Sequence, residues 1–241
     1  MKRIFLCGAV LLAAFPVSAG TFDGFENFAD AGSLKPFARD LGSLLGSATA
    51  HNARPLGFSG FDVGAHTGLQ FYPDKNDRIL RNNGVRAFGL PFIQAEIGLP
   101  YRFDGFVRGV NYEGLAIAGG GVRYSVLKGS DEAWSPQLIV LGVANSVVHQ
   151  YFAATHAGGD IVCSIGTSRF NPYVGAGIDH VRLYVRSSKL DPNLNGTSVS
   201  TLESRFTAGL RLRLWTFGYI HAAYLLTHGR GGAEGGVGVR F

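Results

Sequence analysis

Seven histidines, 17 acidic side chains and 22 basic ones are the groups in this 241-residue chain that could do chemistry. The histidines are scattered: there is no His-Glu-x-x-His and no Cys-x-x-Cys, so no metal site is expected. Ser59 sits in Gly57-Phe58-Ser59-Gly60-Phe61, which lacks the second glycine spacing of a nucleophile elbow. His228 is followed by Gly229-Arg230-Gly231, with Glu234 beyond and no serine close in sequence to activate. Gly119-Gly120-Gly121 and Gly175-Ala176-Gly177 are followed by strand-like residues rather than a helix start, so they do not read as phosphate loops. No catalytic residue and no cofactor is therefore expected. What stands out instead is arginine: Arg205, Arg211 and Arg213 recur with one parity, joined by Arg108, Arg123, Arg182 and Arg240 and by the acids Asp62, Glu96 and Glu203.

The elements that carry these residues have a period of two. Leu202, Phe206, Ala208, Leu210, Leu212 and Leu214 alternate with Glu203, Arg205, Thr207, Arg211 and Arg213, giving one oily and one charged face. At the C-terminus Val237, Val239 and Phe241 alternate with Gly236, Gly238 and Arg240. Similar segments run over residues 61–71, 92–99, 106–112, 115–127, 137–148, 154–168, 172–186 and 217–227, which makes ten strands, with eight or twelve also compatible. Within 172–186, Val174, Ala176 and Ile178 share one parity and Val181, Leu183 and Val185 the other, which suggests a bulge near Asp179-His180. Polar stretches at 74–83 and 187–198 are long enough for loops on one side, and 100–105 reads as a tight turn on the other.

Composition says what these strands build. Only 16 % of residues are charged, well under the roughly 25 % of a soluble domain, beside 35 glycines and 12 % aromatics. No apolar run after residue 19 is long enough for a spanning helix, so a chain with lipid against it must pair its backbone between strands and close into a barrel. Lys2-Arg3, the apolar run to Phe15 and the triplet Val17-Ser18-Ala19 have the plan of a secretory signal peptide cleaved after Ala19. Its removal takes the formal charge from +5 to +3, too mild to suggest nucleic acid, and leaves Cys163 as the one cysteine, read as a buried, inert thiol.

Residues 20–56 differ in period. Leu34, Phe37, Ala38, Leu41, Leu44 and Leu45 recur at three and four, predicting an amphipathic helix capped by Ser33 and ended by Pro55. It either plugs the barrel formed by residues 57–241 or lies on its surface.

Gly121-Val122-Arg123-Tyr124, Leu127-Lys128-Gly129, Pro136-Gln137-Leu138, the run Asn171 to Gly177, Gly98-Leu99-Pro100 and the closing Gly238-Val239-Arg240-Phe241 resemble a widespread group of uncharacterised bacterial outer-membrane β-barrel proteins, over residues 55–241. The likeness to OmpA-type small barrels is one of architecture. The tract Ala154–Gly159 and the lack of a long acidic loop depart from the group. The resemblance implies a Gram-negative outer-membrane barrel with a signal peptide and an N-terminal helical segment, and brings no established activity.

The expectation is therefore an all-β, antiparallel up-and-down transmembrane barrel, structural or porin-like with passive passage of small solutes, and not an enzyme. Its partners would be outer-membrane lipid and, through Val237, Val239 and Phe241, the barrel-assembly machinery; nucleic acid is not among them. Arg205, Arg211, Arg213, Arg123, Arg240, Glu203, Glu96 and Asp62 would line the lumen, paired with one another rather than drawing in anions. A barrel enzyme acting on lipid or peptide and a secreted β-sandwich binding protein are the alternatives.

Overall fold

In the computed structural model, which describes residues 20–129, 134–167 and 169–241, ten antiparallel strands close into one barrel. They are β1 (Phe61–Gln70), β2 (Phe88–Gly98), β3 (Phe103–Tyr112), β4 (Leu115–Leu127), β5 (Pro136–Val148), β6 (Phe152–Ile165), β7 (Phe170–Val185), β8 (Ser198–Arg213), β9 (Gly218–Thr227) and β10 (Arg230–Arg240). Each pairs with its neighbours in sequence, and β1 pairs with β10 through partners such as Ala65 and Val237, so no strand edge is left open. The signal-like segment 1–19 lies outside the described residues.

The two longest connections, residues 71–87 and 186–197, leave the same end of the barrel, the first carrying helix α3 (Arg78–Asn82), and the tight turns 113–114, 149–151 and 228–229 lie at that end too. The opposite, short-turn end, where every connection spans eight residues or fewer, holds Pro100–Arg102 together with the start of β1 and the end of β10. Two helices precede the barrel, α1 (Gly24–Phe28) and α2 (Leu34–Gly46), and both lie within it or across its mouth: 11 of the 13 residues of α2 are buried.

The outer wall changes character along its height. One cross-strand row, Val140, Ile161, Ala176, Phe206 and Leu226, faces outward and is wholly apolar. Nearer the long-loop end, the outward row Ser146, Thr155, Arg182 and Ser200 is polar. On β7 the apolar outward positions run from Phe170 to Ile178; eight steps of about 3.3 Å, tilted about 40°, raise that band roughly 20 Å. Aromatic pairs ring its short-turn edge: Phe103 with Tyr124, Trp134 with Phe170, and Phe217 with Phe241.

The inner wall inverts in the same place. Towards the long loops it presents Leu90, Phe92, Leu115, Ile117, Val147, Val181 and Leu183, all buried; towards the short turns it presents Asp62, Glu96, Arg123, Asp160 and Arg211. This inversion accounts for the parity change read in 172–186. The register of β7 is continuous on both sides, with no bulge at Asp179-His180; Asp179, Val181 and Leu183 all point inward, and Arg182 points outward rather than into the lumen. The register shift that does occur is in β4, between Ser125 and Leu127. Cys163 shares the outward parity of Ile161 and Ile165 and is half-buried, so it is not a core thiol.

Candidate functional site

The lumen is the site, and the chain's own N-terminal segment occupies it. At the long-loop mouth the Thr21 amide donates to Glu113, Lys189 pairs with Glu26 at 2.7 Å and Arg78 pairs with Asp30 at 2.9 Å. At the far end Leu56 N–H donates to the Asp104 carboxylate at 3.2 Å, and Arg240 donates to the Pro55 carbonyl. The segment thus threads the barrel, entering among the long loops and joining β1 at the short-turn end.

Its upper half is held by apolar packing. Phe22, Phe25, Phe37 and the wall residue Phe152 form a cluster with ring centroids 4.9–6.3 Å apart, edge-to-face except for the tilted Phe25–Phe152 pair, and Leu34, Leu41, Leu44 and Leu45 complete an apolar core against the inner wall. Close approach relies on two glycines of α2: a Cβ on Gly42 would stand 2.6 Å from Val181 Cγ2, and one on Gly46 would overlap the Asp179 carboxylate. The helix stops at Gly46, nine residues short of Pro55, and Ser33 occupies its cap position without capping it; that hydroxyl turns back and donates to the Asp30 carbonyl at 3.0 Å.

Below Gly46 the chain is irregular, and the wall supplies its hydrogen bonds. Arg108 donates to the Ser47 carbonyl at 3.1 Å, Arg123 to the Thr49 carbonyl, and Asn145 to the Leu45 carbonyl at 3.1 Å; the Ala48 amide donates to Glu234 and the Ala53 amide to Ser164 at 3.0 Å. Ionic clusters brace those wall residues. Arg123 grips Glu96 with both terminal nitrogens at 2.5 and 2.6 Å, and Arg205 bridges Asp160 and Asp179, each at 2.9 Å. His156 joins Asp179 at 2.9 Å. His66 and His221 share a 2.9 Å hydrogen bond, one ring donating and the other accepting; His51 stacks on Tyr219, whose hydroxyl donates to Asp62 at 2.7 Å. Among the described residues no His, Cys, Asp and Glu group is arranged to hold a metal.

A second cluster joins α2 to the long-loop mouth. Asp40 receives Gln70 at 2.6 Å, the Asp74 amide at 2.7 Å and His228 at 3.0 Å, and lies beside Asp77, whose other oxygen caps α3 through the Leu80 amide. Burial, followed by the nearby Asp40 carboxylate, pushes the Asp77 carboxyl up to about 9. Ser, His and Asp thus meet here, but Ser43 donates to Gln70 at 2.7 Å rather than to His228. A serine whose proton is given to an amide has no base to activate it.

The structure brings most of the expected lumen residues inside: Asp62, Glu96, Arg123, Arg205 and Arg211 are buried. Glu203 is half-buried on an ion pair with Arg39 of α2 at 2.7 Å, while Arg213 and Arg240 line a cleft at the short-turn end. Val237, Val239 and Phe241 face outward. His51 of the threaded segment lies in the lumen too, as do the wall residues Asp160, Asp179, His156, His66, His221, Glu234 and Asn145, none of them among the lumen residues expected from sequence. For the wall residues inward parity is the available signal, hidden for Asp179 by the supposed bulge.

No family model matches the chain, and no curated protein matches it. Solved structures similar to it include the N-terminal β-barrel domain of Pseudomonas aeruginosa OprF, at 14 % identity over 77 % of this chain and 99 % of that one, with a TM-score of 0.41. The translocator domain of the autotransporter NalP from Neisseria meningitidis is 10 % identical over 88 % and 99 %, TM-score 0.39; Neisserial surface protein A is 12 % identical over 75 % and 95 %, TM-score 0.31.

Replacing Arg205 by Ala would leave Asp160 and Asp179 buried together without their cation, an arrangement that costs roughly 3–5 kcal/mol. Unfolding of the detergent-solubilised protein should shift accordingly, and Asp179→Ala in the same chain should recover part of the loss. Asp77 titrates in the opposite sense to a salt-bridged acid. Its raised value means that the neutral form fits the fold, so its contribution is whole below about pH 4 and fades as pH climbs towards 9. Exchange of the Leu80 amide should accelerate over that range, and Asp77→Asn should flatten the dependence while keeping the cap.

Proposed function

We propose that this protein is an integral outer-membrane barrel that is sealed at rest by its own N-terminal segment, with a structural role, and that passage of small solutes requires the segment to shift. Support for the membrane comes from the apolar band, its aromatic edge and the closed hydrogen-bonding of the wall, which together suit a lipid surround. The signal-like N-terminus and the outward Val237, Val239 and Phe241 on the last strand suit export and delivery to barrel-assembly machinery. In this reading the long loops face the cell exterior and the short turns the periplasm.

One observation carries the sealed state: Ser47, Ala48, Thr49 and Ala53, buried mid-lumen, are each hydrogen-bonded to the wall through their main chain. An open pore would leave water there instead. In planar bilayers the intact protein should be silent and a form lacking residues 20–54 should conduct. Steady conductance of the intact chain would overturn the seal; silence of both forms would remove transport and leave the structural role.

Threading fixes the direction of the segment as well. A peptide tag placed ahead of Gly20, behind the signal, should bind antibody on intact cells, whereas a tag after Phe241 should need permeabilised cells. The reverse pattern would invert the orientation.

A further inference from the structure

Asp40 of α2 and Asp77 at the start of α3 are both 0 % exposed and lie side by side at the long-loop mouth. Four parts of the chain meet there: α2, the end of β1 through Gln70, the connection 71–87, and the β9–β10 turn through His228. Asp40 accepts from Gln70, from the Asp74 amide and from His228, which is the bonding of an ionised carboxylate. Asp77 is bonded differently. Its Oδ1 accepts from the Leu80 amide at 3.0 Å, while its Oδ2 is buried with no group donating to it.

Two carboxylates buried together cannot both stay charged unless a cation stands between them. Among the described residues no lysine or arginine donates to either one: Arg39 goes to Glu203, Arg78 goes to Asp30, and Lys75 and Arg81 are exposed. The Asp74 carboxylate turns to the Asn76 amide. His228 is the one group in the junction that can become a cation, and it sits on Asp40. The bare Oδ2 of Asp77 is therefore where a proton belongs, donated towards Asp40. Burial and the Asp40 charge act in the same sense, raising the Asp77 carboxyl to about 9.

This junction fastens the connection 71–87 over the outer start of the threaded segment. Ile79 and Leu80 of α3 are buried in the apolar core, and Asn83 donates to the Gly20 and Thr21 carbonyls at 3.2 and 3.3 Å. α3 lies so close on α1 that a Cβ on Gly24 would stand 2.7 Å from Asn83 Cβ. We propose that residues 71–87 form a lid over the long-loop mouth, latched by a proton that Asp77 shares with Asp40, and that loss of this proton lifts the lid and uncovers α1. The proposal rests on the sealed-barrel reading only for its effect on passage. Ionised Asp77 would face Asp40 in a dry site, and the lid is the part free to move, since Arg78, Arg81 and Asn82 on its other side are exposed. From the ordinary carboxylate range up to about 9, each pH unit should ease lifting by up to about tenfold. Residues 47–56 keep their own hydrogen bonds to the wall, so lifting uncovers the mouth without opening the lumen.

The full-length protein in non-ionic micelles would be digested briefly with trypsin and, separately, with chymotrypsin across a pH series, each rate divided by that of a free peptide at the same pH. Between about pH 6.5 and about pH 8.5, cleavage after Arg78 and Arg81 in the lid and after Phe25 and Phe28 in α1 should rise together by about tenfold or more. Asp77→Asn should hold both at the low-pH rate, because its amide donates to Asp40 at every pH while its oxygen still caps Leu80. In the wild-type chain, which needs no variant to fold, the infrared carbonyl band of a protonated carboxylic acid should fade over the alkaline range in which cleavage rises. Rates that stay flat with pH, or an equal rise in Asp77→Asn, would overturn the latch. Cuts at Arg78 and Arg81 with none in α1 would mean a frayed α3 and would overturn the lid. A chain that conducts at neutral pH would remove the seal and leave these cleavage rates to decide the latch on their own.

Discussion

An irregular stretch of main chain buried inside a closed barrel must find a partner for every N–H and C=O, because neither a helix nor a sheet ladder provides one and little water is at hand. Residues 47–56 are in that position. The wall answers with side chains of the matching kind, arginines towards carbonyls, carboxylates and a serine hydroxyl towards amides, and an asparagine meets the Leu45 carbonyl in the last turn of the helix above. The ionic clusters follow from this need. Arg123 cannot stand buried beside Thr49 without Glu96, and Glu96 cannot be buried without Arg123. The charged lumen is thus built around a guest that is part of the same chain.

The same need explains why the wall changes sides. A helix satisfies its own backbone, so the wall around α2 can be apolar within and, where it stands clear of lipid, polar without. Around the irregular stretch the wall is largely polar within, apart from an apolar patch of Ile139, Leu141, Val162 and Tyr173 in one cluster with Ala50 and Ala53, and apolar without. Val181 and Val174, seven residues apart on β7, are both where an apolar residue belongs, on opposite faces.

This is also where sequence reading met its limit. Strand number, closure and the inward set on β8 were legible because period-two alternation survives in single strands. The bulge expected at Asp179-His180 was an error of interpretation: a change in what surrounds the wall looks, in one dimension, like a change in register. The helix was legible from its 3.6 period, but its end was not, since nothing local marks Gly46 as the point where contact with Asp179 and the wall's hydrogen bonds take over. The question posed by the arginines, whether they meet carboxylates or the N-terminal segment, has no single answer. Arg205 meets Asp160 and Asp179, Arg108 meets the segment, and Arg123 meets both.

Two kinds of attachment imply unequal resistance to movement. The Phe22, Phe25, Phe37 and Phe152 cluster is non-directional and loses contact gradually, while the polar side of α2 is tied to the wall by Asp40 to Gln70 and His228 and by Arg39 to Glu203. The hydrogen bonds around residues 47–56 are directional; a shift of an ångström or two breaks several together and leaves buried charges facing carbonyls that have moved away. Any opening of the lumen must therefore release the short-turn half as a unit, through Arg108, Arg123 and Glu234, together with the bonds that Asp40 makes at the mouth, whereas the larger aromatic core between them yields gradually.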